Sequence, residues 1–170
     1  MIGPYLDAYR VDVKGLNGNF YPRIAKVRSP AGILASAERA RERWSIHVEV
    51  VTNVIPTIND DDEQLRNIAL WIREKLGELT PWHVTRFHPD HRLRGLPATP
   101  LATLERAHHI GTVLGLKFVY LGNVPAHLAE NTTCYQCGRT VVRRWGYHTE
   151  PTGLANGCCA SCGVALGIRQ

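Results

Sequence analysis

Ile46-His47-Val48-Glu49-Val50-Val51-Thr52-Asn53-Val54-Ile55, closed by Pro56, is the stretch that decides the fold. Its density of β-branched residues predicts a strand, and Pro56, which has no N–H to donate, stops it. Asn53, Val51 and Glu49 share one face of that strand; Thr52 and Val50 share the other. Downstream, the acidic Asn59–Glu63 region predicts a helix start. Leu65, Ile68, Ala69, Ile72 and Leu76 then recur at helical spacing, and Lys75 and Gly77 mark the end. Upstream, 33–44 reads as a helix, 15–30 as loop, and Ala8-Tyr9-Arg10-Val11-Asp12-Val13-Lys14-Gly15 as a short alternating strand.

The pattern continues toward the C-terminus. Residues 82–87 form a third strand, ended by His88-Pro89. Thr99 is placed to cap a helix with Pro100 at its first position, and Leu101, Leu104 and His108 share a face. Gly115 ends that helix, and 116–121 reads as a fourth strand stopped by Gly122-Asn123. Strands alternating with helices of this length predict β-α-β units and a parallel sheet. The expected organisation is an α/β portion over residues 1–125 and a small module over 126–170.

That module carries two C-x-x-C-G knuckles, Cys134-Tyr-Gln-Cys137-Gly138 and Cys159-Ala-Ser-Cys162-Gly163, separated by 21 residues (138–158). Each knuckle aims two thiolates at one point, and its Gly supplies the positive φ that closes the turn. Four thiolates make a tetrahedral cage suited to zinc, with iron as the rival ion and disulfides or inert thiols as the plain alternatives. Cys158 is the odd fifth thiol.

Composition sets outer limits. A chain of 170 residues with 44% apolar content can bury a real core. No apolar run approaches the ~20 residues of a membrane span, and no basic segment followed by an apolar one marks a secretory leader. Clustered thiols without a leader predict a reducing cytoplasm. The net charge of +5 becomes +3 once four thiolates and a divalent ion are counted, which does not argue for a nucleic-acid partner.

In β-α-β units, ligand-binding groups collect at the C-terminal ends of strands. Asp12 and Lys14 share one face of the first strand, as interior groups needing a ligand or as an exposed salt bridge; the spacing favours neither. His88 ends its strand, and Pro89 holds the backbone extended there, aiming the imidazole outward. His83, early in the same strand, reads as a packed or capped histidine. The turn over Val54–Asp60 reads as a plain structural turn, with close backbone approach to a ligand as the alternative.

At these residues the sequence resembles the radical S-adenosylmethionine enzymes of the AmmeMemoRadiSam system, relatives of pyruvate formate-lyase-activating enzymes. The resemblance rests on Val11-Asp12-Val13-Lys14, on Val50–Pro56 with Asn59-Asp60, and on Pro81–Asp90. It continues through Tyr120–Pro125, Glu130-Asn131-Thr132 and the first knuckle. It implies a partial (β/α) barrel with a zinc-ribbon-like tail, and S-adenosylmethionine contacts at Asp12, Lys14 and His88. It also implies reductive cleavage of that cofactor by a [4Fe-4S] cluster and hydrogen abstraction by a 5′-deoxyadenosyl radical.

The chain departs from the family pattern in ways that matter. It has no C-x-x-x-C-x-x-C motif, because all five cysteines lie at or after position 134. The Gly-Gly-Glu-type segment is also absent. The family's Pro-Gly turn reads Pro56-Thr57, and 126–130 holds less glycine than expected. The resemblance therefore implies the C-terminal half of a barrel, completed by an N-terminal half-barrel polypeptide or by self-association through an open edge at the first strand. S-adenosylmethionine and the cluster would be bound only with that half present. Two other readings stand beside it. One is a binding module in which Arg139, Arg143, Arg144, Trp145, Tyr147 and His148 contact nucleic acid or a protein, against the preferred picture of a solvated hairpin with one packed Trp. The other is electron transfer through an S4 iron.

Overall fold

The computed structural model describes residues 3–16 and 20–168. Met1 and Ile2, where the sequence predicts no leader, residues 17–19 of the predicted loop, and 169–170 lie outside them. Four parallel strands, β1 (Ala8–Asp12), β2 (His47–Val54), β3 (Trp82–Arg86) and β4 (Val119–Gly122), pair in chain order. The sequence reading began the fourth strand three residues early; Leu116 and Phe118 are buried but precede the ladder. Three helices connect the strands: α1 (Ala31–Trp44), α2 (Asp62–Trp71), which continues as a wider turn over Ile72–Leu76, and α3 (Leu101–Val113).

The alternation in each strand explains the layering. Val11, Val13, Val48, Val50, Val54, Trp82, Val84, Val119 and Leu121 bury against Leu65, Ile68, Ile72, Leu104, Ala107 and Ile110 of the helices. Each such apolar side chain contributes about 1.5–3 kcal/mol on full burial. Gly111 lets α3 sit close to the sheet, since a Cβ there would lie 2.9 Å from both the Trp82 ring and Val119. Trp82 also donates from Nε1 to Thr52 Oγ1 (2.9 Å), whose hydroxyl donates to Val13 O (2.7 Å), so three strands are tied within the core.

Among the described residues no α-helix packs on the opposite face of the sheet. It carries Arg10, Asp12, Glu49, Asn53, His83, Thr85 and Tyr120, half-buried or exposed. Parallel sheets are ordinarily covered on both faces. Among the described residues β1 and β4 each pair on one side only, so both edges of the sheet are free.

Two helix starts are made differently. Asp61 caps α2 by accepting from Gln64 N (2.9 Å), as the acidic stretch predicts. The expected Thr99 cap is not formed: Pro100 is itself the cap residue of α3. Thr99 is fully buried instead, accepting from Phe87 N (2.9 Å) and donating to Val54 O (2.6 Å). Its hydroxyl has stronger claims from two strand ends than from a solvent-side helix start.

The remaining chain forms a small cysteine-rich module. Its strands are β5 (Thr132–Thr133), β6 (Thr140–Trp145) and β7 (His148–Pro151), in one antiparallel sheet, and β8 (Leu154–Ala155) and β9 (Cys158–Cys159), in another. Val141, Val142, Cys134, Cys159 and Leu166 form its core, which packs on Phe118, Tyr120 and Leu79 of the α/β portion. The Trp expected inside the hairpin is not packed: Trp145 is 47% exposed and stacks on His148 at the β6–β7 tip (5.7 Å). The two rings flank the two-residue turn at Gly146-Tyr147, beyond the reach of the core. Among the described residues no helix is long and apolar enough to cross a membrane.

Candidate functional site

Both knuckles close in the same way. Gly138 N donates to Cys134 O and Gly163 N to Cys159 O, each at 2.8 Å. Cys134 N donates to Arg139 O (2.8 Å) and Cys159 N to Val164 O (2.9 Å). Gly138 and Gly163 take φ of 72° and 76°, the left-handed region the sequence predicts for them. The four sulfurs lie within 4.8 Å of one another, with Cys134 to Cys162 at 3.5 Å and Cys137 to Cys159 at 3.7 Å. A tetrahedron of ~2.3 Å metal–sulfur bonds has edges near 3.8 Å, so the cage fits one ion. Disulfide sulfurs would lie near 2 Å; all five cysteines are free. Cys134 and Cys159 are buried, Cys137 and Cys162 exposed. The backbone N–H groups of Cys162 and Ser161 draw Cys159 down to about 6, ready to ligate as a thiolate. Cys162, despite the Val164 N–H, is pushed up to about 12 by desolvation and by the neighbouring sulfurs. A bound ion would deprotonate it outright. Cys158 stands outside the cage, its backbone pairing with Ala155 and Ala165.

At the C-terminal ends of the strands, Lys14 Nζ meets Asp12 Oδ1 at 2.8 Å. The pair is a mutual, partly exposed salt bridge, the second of the two alternatives left open by spacing. His88 is not brought to it. It is exposed, two strands away, lining a small cavity with Arg86, Phe87, Ala98 and Asn123.

Asn59 organises this end of the sheet. Fully buried, it accepts from Ile55 N (2.5 Å) and donates from Nδ2 to Lys14 O (2.7 Å) and Asn53 O (2.9 Å). It therefore binds the end of β1 to the turn after β2. In that turn Thr57 adopts φ 65°, and Ala126 adopts φ 66°. A β-branched residue such as Thr57 is a genuine outlier in that region. The Thr57 N–H is held by Asp60 Oδ1 (2.8 Å).

A second polar cluster lies nearer the N-terminal ends of the strands. Glu49 Oε1 meets His47 Nε2 at 3.2 Å, and Oε2 meets His83 Nε2 at 3.1 Å. Those two hydrogen bonds hold the Glu49 carboxyl well below its usual range. His83 stacks on Tyr120 (5.1 Å, 25°), and the Arg144 guanidinium sits 5.3 Å from the centroid of the same Tyr120 ring. Burial raises Tyr120, whose hydroxyl bonds Thr132 Oγ1 at 2.9 Å. The sequence places Glu49 on this face and reads His83 as a packed or capped histidine; the β2–β3 register, Val51 opposite His83, is what makes the two diagonal neighbours.

Because folding depresses the Glu49 pKa, its contribution is present above the ordinary glutamate value of about 4.3 and is lost as pH falls below it. The site is open to solvent, which holds that contribution to about 1 kcal/mol. Glu49→Gln should therefore destabilise the chain by about 1 kcal/mol at pH 7, with the difference shrinking as pH falls from about 4.3 toward the depressed folded value. Urea unfolding at pH 7 and pH 3 checks this.

No family model matches the chain. Uncharacterized protein MJ0808 of Methanocaldococcus jannaschii is 37% identical over 165 residues, 96% of this chain and 49% of that protein. The chain thus spans about half the length of this relative. A solved domain of the pyruvate-formate lyase-activating enzyme from Bacteroides vulgatus superposes with a TM-score of 0.58 at 15% identity, covering 69% of this chain and 68% of the domain. The fold is that of a partial radical SAM barrel. A radical SAM methyltransferase from Sphaerobacter thermophilus gives a TM-score of 0.54 at 13% identity, with 72% of this chain matching 37% of the larger protein. At these identities the likeness is one of fold.

Proposed function

We propose that this chain is the C-terminal portion, or a split subunit, of a radical S-adenosylmethionine enzyme of the AmmeMemoRadiSam type, with zinc held in its four-cysteine cage. The observation that carries the reading is the parallel sheet with helices on one face, polar groups on the other and two free edges among the described residues. A half-barrel laid against that face would cover it and close the edges.

The residues here fit two of the three groups the reading requires. The cage offers four thiolates and leaves no open position, which suits a structural zinc ion. The uncovered face offers Asp12 and Lys14 to S-adenosylmethionine, a carboxylate for sugar hydroxyls and an ammonium for acceptor groups, on strands locked by Asn59. His88, exposed at the end of β3, would be a separate contact. The third group, a [4Fe-4S] cluster, does not fit: no cysteine precedes Cys134, four of the five (Cys134, Cys137, Cys159 and Cys162) belong to one cage, and Cys158 alone cannot hold a cluster. Reductive cleavage of the cofactor therefore requires a second polypeptide segment.

The expected result is that this chain, treated with iron, sulfide, reductant and S-adenosylmethionine, forms no 5′-deoxyadenosine. Multiple turnovers by the chain alone would contradict the reading.

A further inference from the structure

A cavity of about 350 Å³ lies where the uncovered sheet face meets the cysteine-rich module. It is at the N-terminal side of the strands, away from Asp12, Lys14 and His88, and none of the chemistry above uses it. Its volume is at the lower end for small-molecule sites.

The walls differ in charge. The module supplies Arg144, whose Nη1 is fixed by Glu130 O (3.0 Å) and Thr132 Oγ1 (2.7 Å) and whose plane is supported by the Tyr120 ring. No carboxylate pairs with this half-buried cation among the described residues; beyond those two acceptors it also hydrogen-bonds the Tyr120 side chain. The sheet supplies Glu49, ionised and held in place by two imidazoles, with the exposed Asp7 at the rim. Each Glu49 oxygen takes one imidazole and retains a second acceptor direction. Leu79, Phe118 and Leu166 make the rest of the wall apolar.

A fixed cation facing a fixed anion across a small, partly apolar space does not match a simple anion, which Glu49 would repel, or a simple cation, which Arg144 would repel. It matches a zwitterion whose carboxylate takes the planar guanidinium fork and whose ammonium reaches Glu49. We propose that this cavity binds an apolar α-amino acid, free or as the amino-acid end of a larger molecule. The proposal does not depend on the radical chemistry, since every group in it belongs to this chain.

The test is titration of the metal-loaded chain with L-leucine, with 4-methylpentanoate (no ammonium) and with 3-methylbutylamine (no carboxylate). Binding is followed by calorimetry and by the NMR signals of the Arg144 side chain and the His83 ring. Leucine should bind saturably and at least ~10-fold more tightly than either analogue, the order expected for charge-assisted hydrogen bonds. Arg144→Gln should remove the preference for leucine over the amine, and Glu49→Gln the preference over the acid. If Arg144→Gln releases the metal, Arg144→Lys replaces it: metal content should hold while leucine affinity falls through loss of the planar fork. Absence of saturable leucine binding, equal binding of either analogue, or indifference to both Arg144 substitutions would overturn the proposal.

Discussion

Cys134→Ser should release the bound metal and melt the cysteine-rich module while leaving the four-stranded sheet folded. Cys134 is buried at the centre of the module core, together with Cys159, Val141, Val142 and Leu166. That core is too small to be stable unaided, and its five strands are two to six residues long. Structural zinc sites supply on the order of 10 kcal/mol of folding free energy, so the module should lose its order with the metal. The helix-packed core of the sheet shares no buried residue with it. Elemental analysis should give one ion per chain before substitution and a large loss after it, and amide exchange should accelerate across β5–β9 only. Cys158→Ser, outside the cage, should leave the metal content unchanged. A Cys134→Ser chain that retains stoichiometric metal would remove the cage from the account.

Asn59→Ala should cost about 3 kcal/mol, from three hydrogen bonds at about 1 kcal/mol each lost inside the protein. The substitution strands Ile55 N–H, Lys14 C=O and Asn53 C=O, groups at the end of β1, in β2 and in the turn after β2. Its effect should be local as well as global. The end of β1 would loosen, taking with it the Asp12–Lys14 pair that faces the proposed cofactor edge. Urea unfolding gives the energy, and faster exchange at the Ile55 amide shows that the named bonds are the ones lost. A change below about 0.5 kcal/mol would mean that water replaces the amide without loss.

How far the sequence could be read follows from what each residue's role depends on. The strands and the knuckles were readable because their signals are periodic or closely spaced: alternation in Glu49–Asn53, β-branching through Val54, paired cysteines with a trailing glycine. Asn59 was not. Within an acidic stretch it looks like a helix-start residue, whereas its work is set by Lys14, 45 positions earlier. Thr99 misled for the same reason, because the claims on its hydroxyl come from Val54 and Phe87. The Glu49–His83 contact depended on strand register, and Arg144 reaches Tyr120 only because the module folds back on the sheet. The fold was thus carried by local pattern. The polar clusters were carried by long-range pairing that no single stretch encodes.

The central claim is that the uncovered sheet face belongs to a barrel that a second half must complete. The most direct measurement is 5′-deoxyadenosine formation on adding a half-barrel polypeptide that carries a C-x-x-x-C-x-x-C cluster motif to this chain. The account predicts product from the mixture, none from either part, and none from a mixture containing Asp12→Ala. Turnover by this chain alone, or a mixture whose activity is indifferent to this chain, would contradict it.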